Sequence, residues 1–179
     1  MSSRHDFLAV IAAILLSVTS LAQSAGPDAP KGIAVPAGYN MLFKVEAKGV
    51  QIYKAVEGKT GKLEWVLDAP LADRFNGKGG KAGCHYEGPA WEATDGSKVI
   101  RDKTEDVKLA AAPNPKDDIP WLIIKVKSEP GKSGAFSPAE YIQRLQTEGG
   151  KAPNESPKRL GTKIGVPYKA VYYFHGKAY

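Results

Sequence analysis

Residues 91–100 read Trp91-Glu92-Ala93-Thr94-Asp95-Gly96-Ser97-Lys98-Val99-Ile100, two runs of strand formers around an Asp-Gly pair. A two-residue turn of that kind takes positive φ at both central positions and fixes antiparallel register. The segment therefore predicts a hairpin with Trp91 opposite Ile100 and Glu92 opposite Val99. The same pattern extends upstream. Met41, Phe43 and Val45 alternate with polar residues, and Val50-Gln51-Ile52-Tyr53 resumes the alternation. Beyond the turn Glu57-Gly58-Lys59-Thr60-Gly61, Leu63, Trp65 and Leu67 alternate again, which predicts that these last two runs pair as a second hairpin. Asn76-Gly77-Lys78-Gly79-Gly80 is a further turn, with a strand through Cys84, His85 and Tyr86 after it.

Downstream, residues 102–118 carry Pro113, Pro115 and a polar cluster, and read mostly as loop. Ile119 to Val126 is apolar on both alternating faces, the mark of a central strand covered on two sides, and puts Trp121 or its strand neighbours in the core. Tyr141 to Leu145 reads either as a strand or as a helical turn opened by Ser137-Pro138. Residues 147–167 are a connection rich in Gly, Pro and Lys, and Tyr168 to Phe174 is a final aromatic strand. About eight to ten strands without a repeat predict an all-β antiparallel sandwich or barrel with long Gly/Pro-rich loops.

Composition agrees with this plan. The chain has 179 residues, 42% hydrophobic and 25% charged, which excludes a collagen-like, coiled-coil or wholly disordered chain and leaves room for one domain. Its 19 glycines and 13 prolines suit many turns between short strands better than helices.

At the N-terminus, Arg4 precedes an apolar run from Phe7 to Leu16, followed by small residues around Ala22 to Ala25. That is the order of a cleavable signal peptide, over residues 1–24, with cleavage before Ala25 or, as second choice, before Gln23. A periplasmic or extracellular protein follows. No later stretch approaches the ~18 apolar residues of a transmembrane helix. Residues 25–38 form an extended Pro/Ala/Gly segment, and 39–179 a single β domain. Cys84 is the only cysteine, so no intramolecular disulfide staples the fold, and it reads as a buried small hydrophobe.

The net charge of +6 is spread over separated lysines. With no run of five and no aromatic-rich basic helix, it speaks against nucleic acid and for a solvated basic surface. The partners this leaves are an anionic envelope polymer, held by salt-sensitive attraction, or a small polar ligand.

Motif scanning mainly eliminates. Gly77-Lys78-Gly79-Gly80-Lys81-Ala82 fits a dinucleotide fingerprint in letters, but Gly83 and a strand follow where a helix is required. Gly58-Lys59-Thr60 and Gly131-Lys132-Ser133 lack the earlier glycine of a phosphate loop, with Tyr53 and Val126 in its place. No Gly-x-Ser-x-Gly elbow and no His-x-x-x-His or Cys-x-x-Cys spacing occurs, and the sequence calls for no cofactor.

What remains is the segment Gly83 to Ser97. On a strand, His85 and Glu87 point to one face, which suits an imidazole oriented for proton transfer or for a metal, with Glu92 or Asp95 near and Trp91 as an aromatic neighbour. His175 is a possible second ligand. The plainer reading makes Glu92 and Asp95 hairpin residues, Trp91 a core anchor and His85 a hydrogen-bonded histidine.

Here the chain resembles a family, the secreted bacterial and fungal proteins catalogued as domain of unknown function 3455. The resemblance runs from about Val35 to Phe174. It lies in Gly83-x-His85-Tyr86-x-Gly88-Pro89-x-Trp91-Glu92, then Asp95-Gly96-Ser97 and Ile119-Pro120-Trp121-Leu122. It continues in Ile142-Gln143-Arg144, Thr147-x-Gly149-Gly150-x-Ala152-Pro153 and Val166-Pro167-Tyr168. The resemblance implies a signal peptide and a β-rich domain and supplies no established activity. It also implies a cysteine after the Ile52-Tyr53 position and another beyond Pro153, where this chain has Ala55 and residues 154–157, and a threonine where Cys84 stands. Some fungal relatives carry the name malate dehydrogenase, which the broken fingerprint gives no reason to adopt here.

Two functions follow. The favoured one is an exported, non-catalytic binding or structural module; the alternative is an enzyme or metal-binding protein centred on His85, Glu87 and Glu92. Convergence of His85, Trp91, Glu92 and the pair Gln143-Arg144 on one pocket would separate them.

Overall fold

The computed structural model describes residues 27–178, so the leader over 1–24 and the first residues of the 25–38 segment lie outside the described residues. Among the described residues the chain forms nine strands: β1 (Tyr39–Glu57), β2 (Leu63–Phe75), β3 (Lys81–Tyr86), β4 (Ala90–Ala93), β5 (Lys98–Arg101), β6 (Lys108–Ala110), β7 (Trp121–Ser128), β8 (Tyr141–Gly149) and β9 (Lys163–Lys177). All pair antiparallel in one sheet, in the order β5-β4-β3-β2-β1-β9-β8-β7-β6. The C-terminal half of β7 also pairs with β5, Val126 opposite Arg101, while its N-terminal half carries β6. Eight strands thus close into a ring, with β6 attached to β7. The all-β antiparallel expectation holds, and of its two forms the sheet takes the one in which a single sheet closes on itself and leaves few free edges. No helix among the described residues is long and apolar enough to cross a membrane.

Period-2 alternation decides what lies inside. Val45 and Ala47 from β1, Ala72 from β2, Trp91 and Ala93 from β4, Val99 from β5, Ile124 and Val126 from β7, Ile142 from β8 and Tyr168, Ala170, Tyr172 and Phe174 from β9 form one buried cluster within the ring. The outward residues of β7, β8 and β9 form a second cluster. There Ile33, from a 3-10 turn over Lys31–Ile33, packs with Ile123, Tyr141, Leu145 and Tyr173. This is why Ile119 to Val126 is apolar on both faces: Leu122, Ile124 and Val126 serve the ring, and Ile123 serves the patch under the N-terminal segment. Trp121 lies half-buried at the border of that patch, and the strand's core residues are Ile123, Ile124 and Val126.

Several local expectations need adjustment. The β1–β2 hairpin forms, with Tyr53 opposite Leu67 and Ala55 opposite Trp65. The Asp95-Gly96 hairpin forms one residue out of the expected register, pairing Trp91 with Val99, Glu92 with Lys98 and Ala90 with Ile100. Its loop has three residues, Thr94-Asp95-Gly96, with only Gly96 at positive φ (81°) and Ala93 N–H bonded to Ser97 O at 2.8 Å. That is a turn closed by a left-handed glycine, and the shift places Trp91 and Val99 together on the inner face. Tyr141–Gly149 is a strand, and β9 begins at Lys163, so the connection after β8 is shorter than expected. The loop over 102–118 contains the short β6, and Cys84 lies half-buried on the outer face of β3.

Candidate functional site

The ring is filled at one end and hollow at the other. At the filled end Phe136, from the β7–β8 connection, stacks on Phe43 and packs against Phe174, with ring centroids 5.3 and 4.8 Å away. Asp95 holds this plug. Its carboxylate accepts from Ser97 N–H at 2.9 Å, Ser97 Oγ–H at 2.6 Å and Ala135 N–H at 2.8 Å, and Phe136 N–H donates to Ser97 Oγ at 3.1 Å. The Ser97 hydroxyl is the leading cause of the downward shift of the Asp95 pKa, which keeps it an acceptor. Asp95 is therefore a clasp at the far end of the ring from the cavity.

Next to the plug lies Arg74, a residue the sequence did not single out. It is fully buried, its guanidinium sits 4.7 Å from the Phe136 ring and 5.7 Å from that of Phe174, and Nη2 donates to Glu92 O at 2.7 Å. Among the described residues Nε and Nη1 have no hydrogen-bond partner, and burial lowers its pKa to about 10, so it keeps its charge. Gly83 makes room for it. A Cβ there would stand 2.0 Å from Glu92 O and 2.9 Å from Arg74 Nη2, and its φ of 152° favours glycine.

At the other end a cavity of about 250 Å³ opens to solvent. His85 and Trp91, paired across β3 and β4, stack at 4.4 Å and 10° and form its floor with Tyr172, whose ring meets His85 edge-on at 5.5 Å. Leu122 and Ile124 from β7 and the loop residue Val107 face Leu67, Ala69 and Pro70 of β2. Arg144 from β8, opposite Tyr172, and Gln51 from β1, opposite Val166, also line it, and Asp68, Glu87, Gly88 and Pro89 form the rim. The wall is mainly apolar with a few polar groups, the usual make-up of a small-molecule site.

His85 is 3% exposed, and its Nδ1 lies 2.9 Å from Ala90 O, a contact only an N–H can make. Nδ1 therefore carries the proton and Nε2 holds the lone pair. Burial first, then the positive charges of Arg74 and Arg144, drive its pKa down to about 3, so it is a neutral hydrogen-bonding group at ordinary pH. Arg144 Nη2 donates to Pro120 O at 2.8 Å, and among the described residues its Nε is buried without a hydrogen-bond partner, as is the Nε2 of Gln51, itself 1% exposed.

The predicted residues divide. His85, Trp91, Glu87 and Arg144 line this cavity. Glu92 does not, because it alternates with Trp91 on β4 and its carboxylate accepts from Tyr86 O–H at 2.5 Å on the outer face. Gln143 alternates with Arg144 and also faces outward, where its Nε2 donates to Ile33 O at 2.7 Å beneath the N-terminal segment. His175 lies in the same outer layer, bordering a pocket with Gln143, Tyr39 and Met41, and so does not meet His85. Among the described residues no three His, Cys, Asp or Glu side chains are grouped so as to hold a metal ion. Gln51 and Arg74 had only a phase signal: Gln51 is in step with Phe43 and Val45, and Arg74 with Ala72. Among the described residues Lys81, Lys98, Lys125, Lys163, Lys169 and Lys177 each pair with an acid.

A family model described as "Protein of unknown function (DUF3455)" matches residues 36–176, which contain every cavity residue. No curated protein and no solved structure matches the chain.

Proposed function

Because the chain belongs to this family, whose description names no activity, we propose from the open end of the ring that it is a non-catalytic binding module. It takes a small ligand into the cavity bounded by His85, Trp91, Tyr172 and Arg144, and acts in the periplasm or outside the cell, as its leader suggests. One observation carries this reading: an otherwise filled ring keeps a solvent-reached cavity of about 250 Å³ floored by three buried rings. A core under selection for stability alone tends to close such a space, since each void forfeits packing. The neutral His85, with Nδ1 committed to Ala90 O, supports hydrogen bonding over proton transfer. The orientation of Glu92 to the outer face weakens the alternative built on His85, Glu87 and Glu92.

A fragment set of small polar and aromatic compounds, followed by the indole N–H resonance of Trp91, tests the reading. Binders are expected to shift that resonance in the native chain and to lose the effect in Leu67→Trp, which fills the mouth from a half-exposed position. Binding that leaves Trp91 unmoved, or that survives the filled mouth, overturns it.

A further inference from the structure

We infer that the cavity selects a small uncharged molecule with an apolar body and one O–H or N–H group, which donates to Nε2 of His85; this rests on the binding reading above and names the chemical class of its ligand.

The three rings of the floor do not offer their polar atoms equally. The indole Nε1 of Trp91 is sealed from solvent, and the Tyr172 hydroxyl is engaged with that of Tyr168 at 3.3 Å. On the wall, Gln51 Nε2 and Arg144 Nε are sealed as well. His85 differs. Its Nδ1 is held by Ala90 O, and its Nε2 has no hydrogen-bond partner among the described residues yet is not one of the sealed atoms, so the small surface His85 keeps includes this nitrogen. Because His85 lines the cavity, that surface is reached from within it.

The chemistry of the ring sets what can bind there. With the proton fixed on Nδ1, Nε2 can only accept. Turning it into a donor would take a second proton, which burial and the charges of Arg74 and Arg144 oppose. The stack on Trp91 and the edge contact with Tyr172 hold the ring plane and so aim the lone pair. A ligand that fills the cavity displaces water from this nitrogen, and one without a donor leaves a buried acceptor unpaired.

Charge narrows the donor. Arg74 and Arg144 both act on His85, and the buried polar residues include no aspartate or glutamate; the carboxylates that line the cavity, Asp68 and Glu87, stand at its rim. An ammonium group at the depth of His85 would meet two guanidiniums in a medium of reduced screening, so the donor is an uncharged one. The walls set the body. In an eight-strand ring β2 stands opposite β7, so Leu67 and Pro70 face Leu122 and Ile124 across the cavity, and both sides call for apolar surface.

Indole and benzofuran share size and shape and differ in one N–H, and 2-aminoindane supplies a protonated amine on a similar body. Isothermal titration of the full chain is expected to show indole binding about tenfold or more tightly than either of the others. In long-range proton–nitrogen spectra of the histidine ring, indole should move the Nε2 resonance of His85 and leave Nδ1 nearly in place, while benzofuran moves neither. His85→Phe, checked for an unchanged circular dichroism spectrum, should remove about tenfold of the indole affinity and change benzofuran by less than about threefold. The ring spectrum needs no variant and decides the matter should the phenylalanine form not fold. Equal binding of indole and benzofuran, or indole binding with Nε2 unmoved, overturns the donor assignment and leaves the binding reading standing. Preference for 2-aminoindane overturns the uncharged donor. Absence of binding by all three overturns both readings.

Discussion

The two ends of the ring are built from the same inward-facing alternation and reach opposite outcomes. At the plugged end, Phe43, Phe136 and Phe174 close on one another around Arg74, and the clasp of Asp95 and Ser97 holds the β7–β8 connection across the opening. At the open end His85, Trp91 and Tyr172 meet in a similar aromatic group, but the loops bring Val107 and Pro89 to the cavity wall rather than a large ring, and about 250 Å³ stays reachable from solvent. The strands alone therefore do not decide which end becomes a site. The loops do, by supplying or withholding one bulky residue, as expected where binding is placed on connections held by a rigid scaffold.

The sharpest way to break this contrast is to unplug the filled end. Phe136→Ala, at a residue 4% exposed, should cost about 3–5 kcal/mol in denaturant unfolding through lost burial and the void left beside Arg74. A loss below about 1 kcal/mol would mean that the two ends are not packed differently.

Acid comes next. Burial lowers the pKa of His85 to about 3 and that of His175 to about 4 from 6.5, so between those values the unfolded chain binds more protons than the folded one. Their contribution to stability is complete above about pH 6.5 and is lost as pH falls toward 4 and 3, with a limiting slope of about 1.4 kcal/mol per pH unit for each histidine. His175→Phe should remove one share of that slope. Its buried Nε2 has no hydrogen-bond partner among the described residues, whereas His85→Phe would also strand Ala90 O. Chemical unfolding across pH 4–7 reads both effects, and a flat profile for the native chain would contradict the burial of these rings.

A smaller effect is expected at the clasp. Ser97→Ala, at a fully buried hydroxyl, should cost about 1–2 kcal/mol by leaving Phe136 N–H without its acceptor, and should leave ligand affinity at the open end unchanged. Smallest of all, Leu67→Trp at the mouth should alter stability by no more than about 0.5 kcal/mol while blocking the cavity. Thermal melts beside a binding assay check both substitutions, and a clasp variant that changes affinity would show the two ends to be coupled.

Much of this architecture is legible in the sequence because alternation is a local property. Phe43 and Val45, Leu63 to Leu67 and the two-faced run to Val126 announce strands without knowledge of the rest. Register and closure are less visible. The hairpin at Asp95 slips by one because Asp-Gly fits both a two-residue loop and a three-residue loop ending in a left-handed glycine, and the choice rests with what Trp91 and Val99 bury. The β5–β7 pairing that closes the ring joins short segments with no mutual signature. The site was legible where its residues are conspicuous, as with His85, Trp91 and Arg144. It was hidden where a polar residue occupies an apolar phase, as with Gln51 and Arg74. Glu92 and Gln143 were misleading for the same reason in reverse, since each is one residue out of phase with the inner face.

The pairing of β1 with β9 bears on how the molecule assembles. Tyr39 lies opposite Lys177 and Lys54 opposite Lys163, so the first strand takes one whole flank from the last. As the chain leaves the ribosome or a translocation channel, β1 has no neighbour on that flank until β9 emerges, and the interior, both arginines included, is wet until then. Contacts this distant in sequence make folding slow and late rather than progressive. They also bring Tyr39 and Lys177 side by side, so a circularly permuted chain that joins them and opens in the exposed Lys59–Lys62 turn would make β1 and β9 consecutive and move the late pairing to β1 with β2 in the same ring.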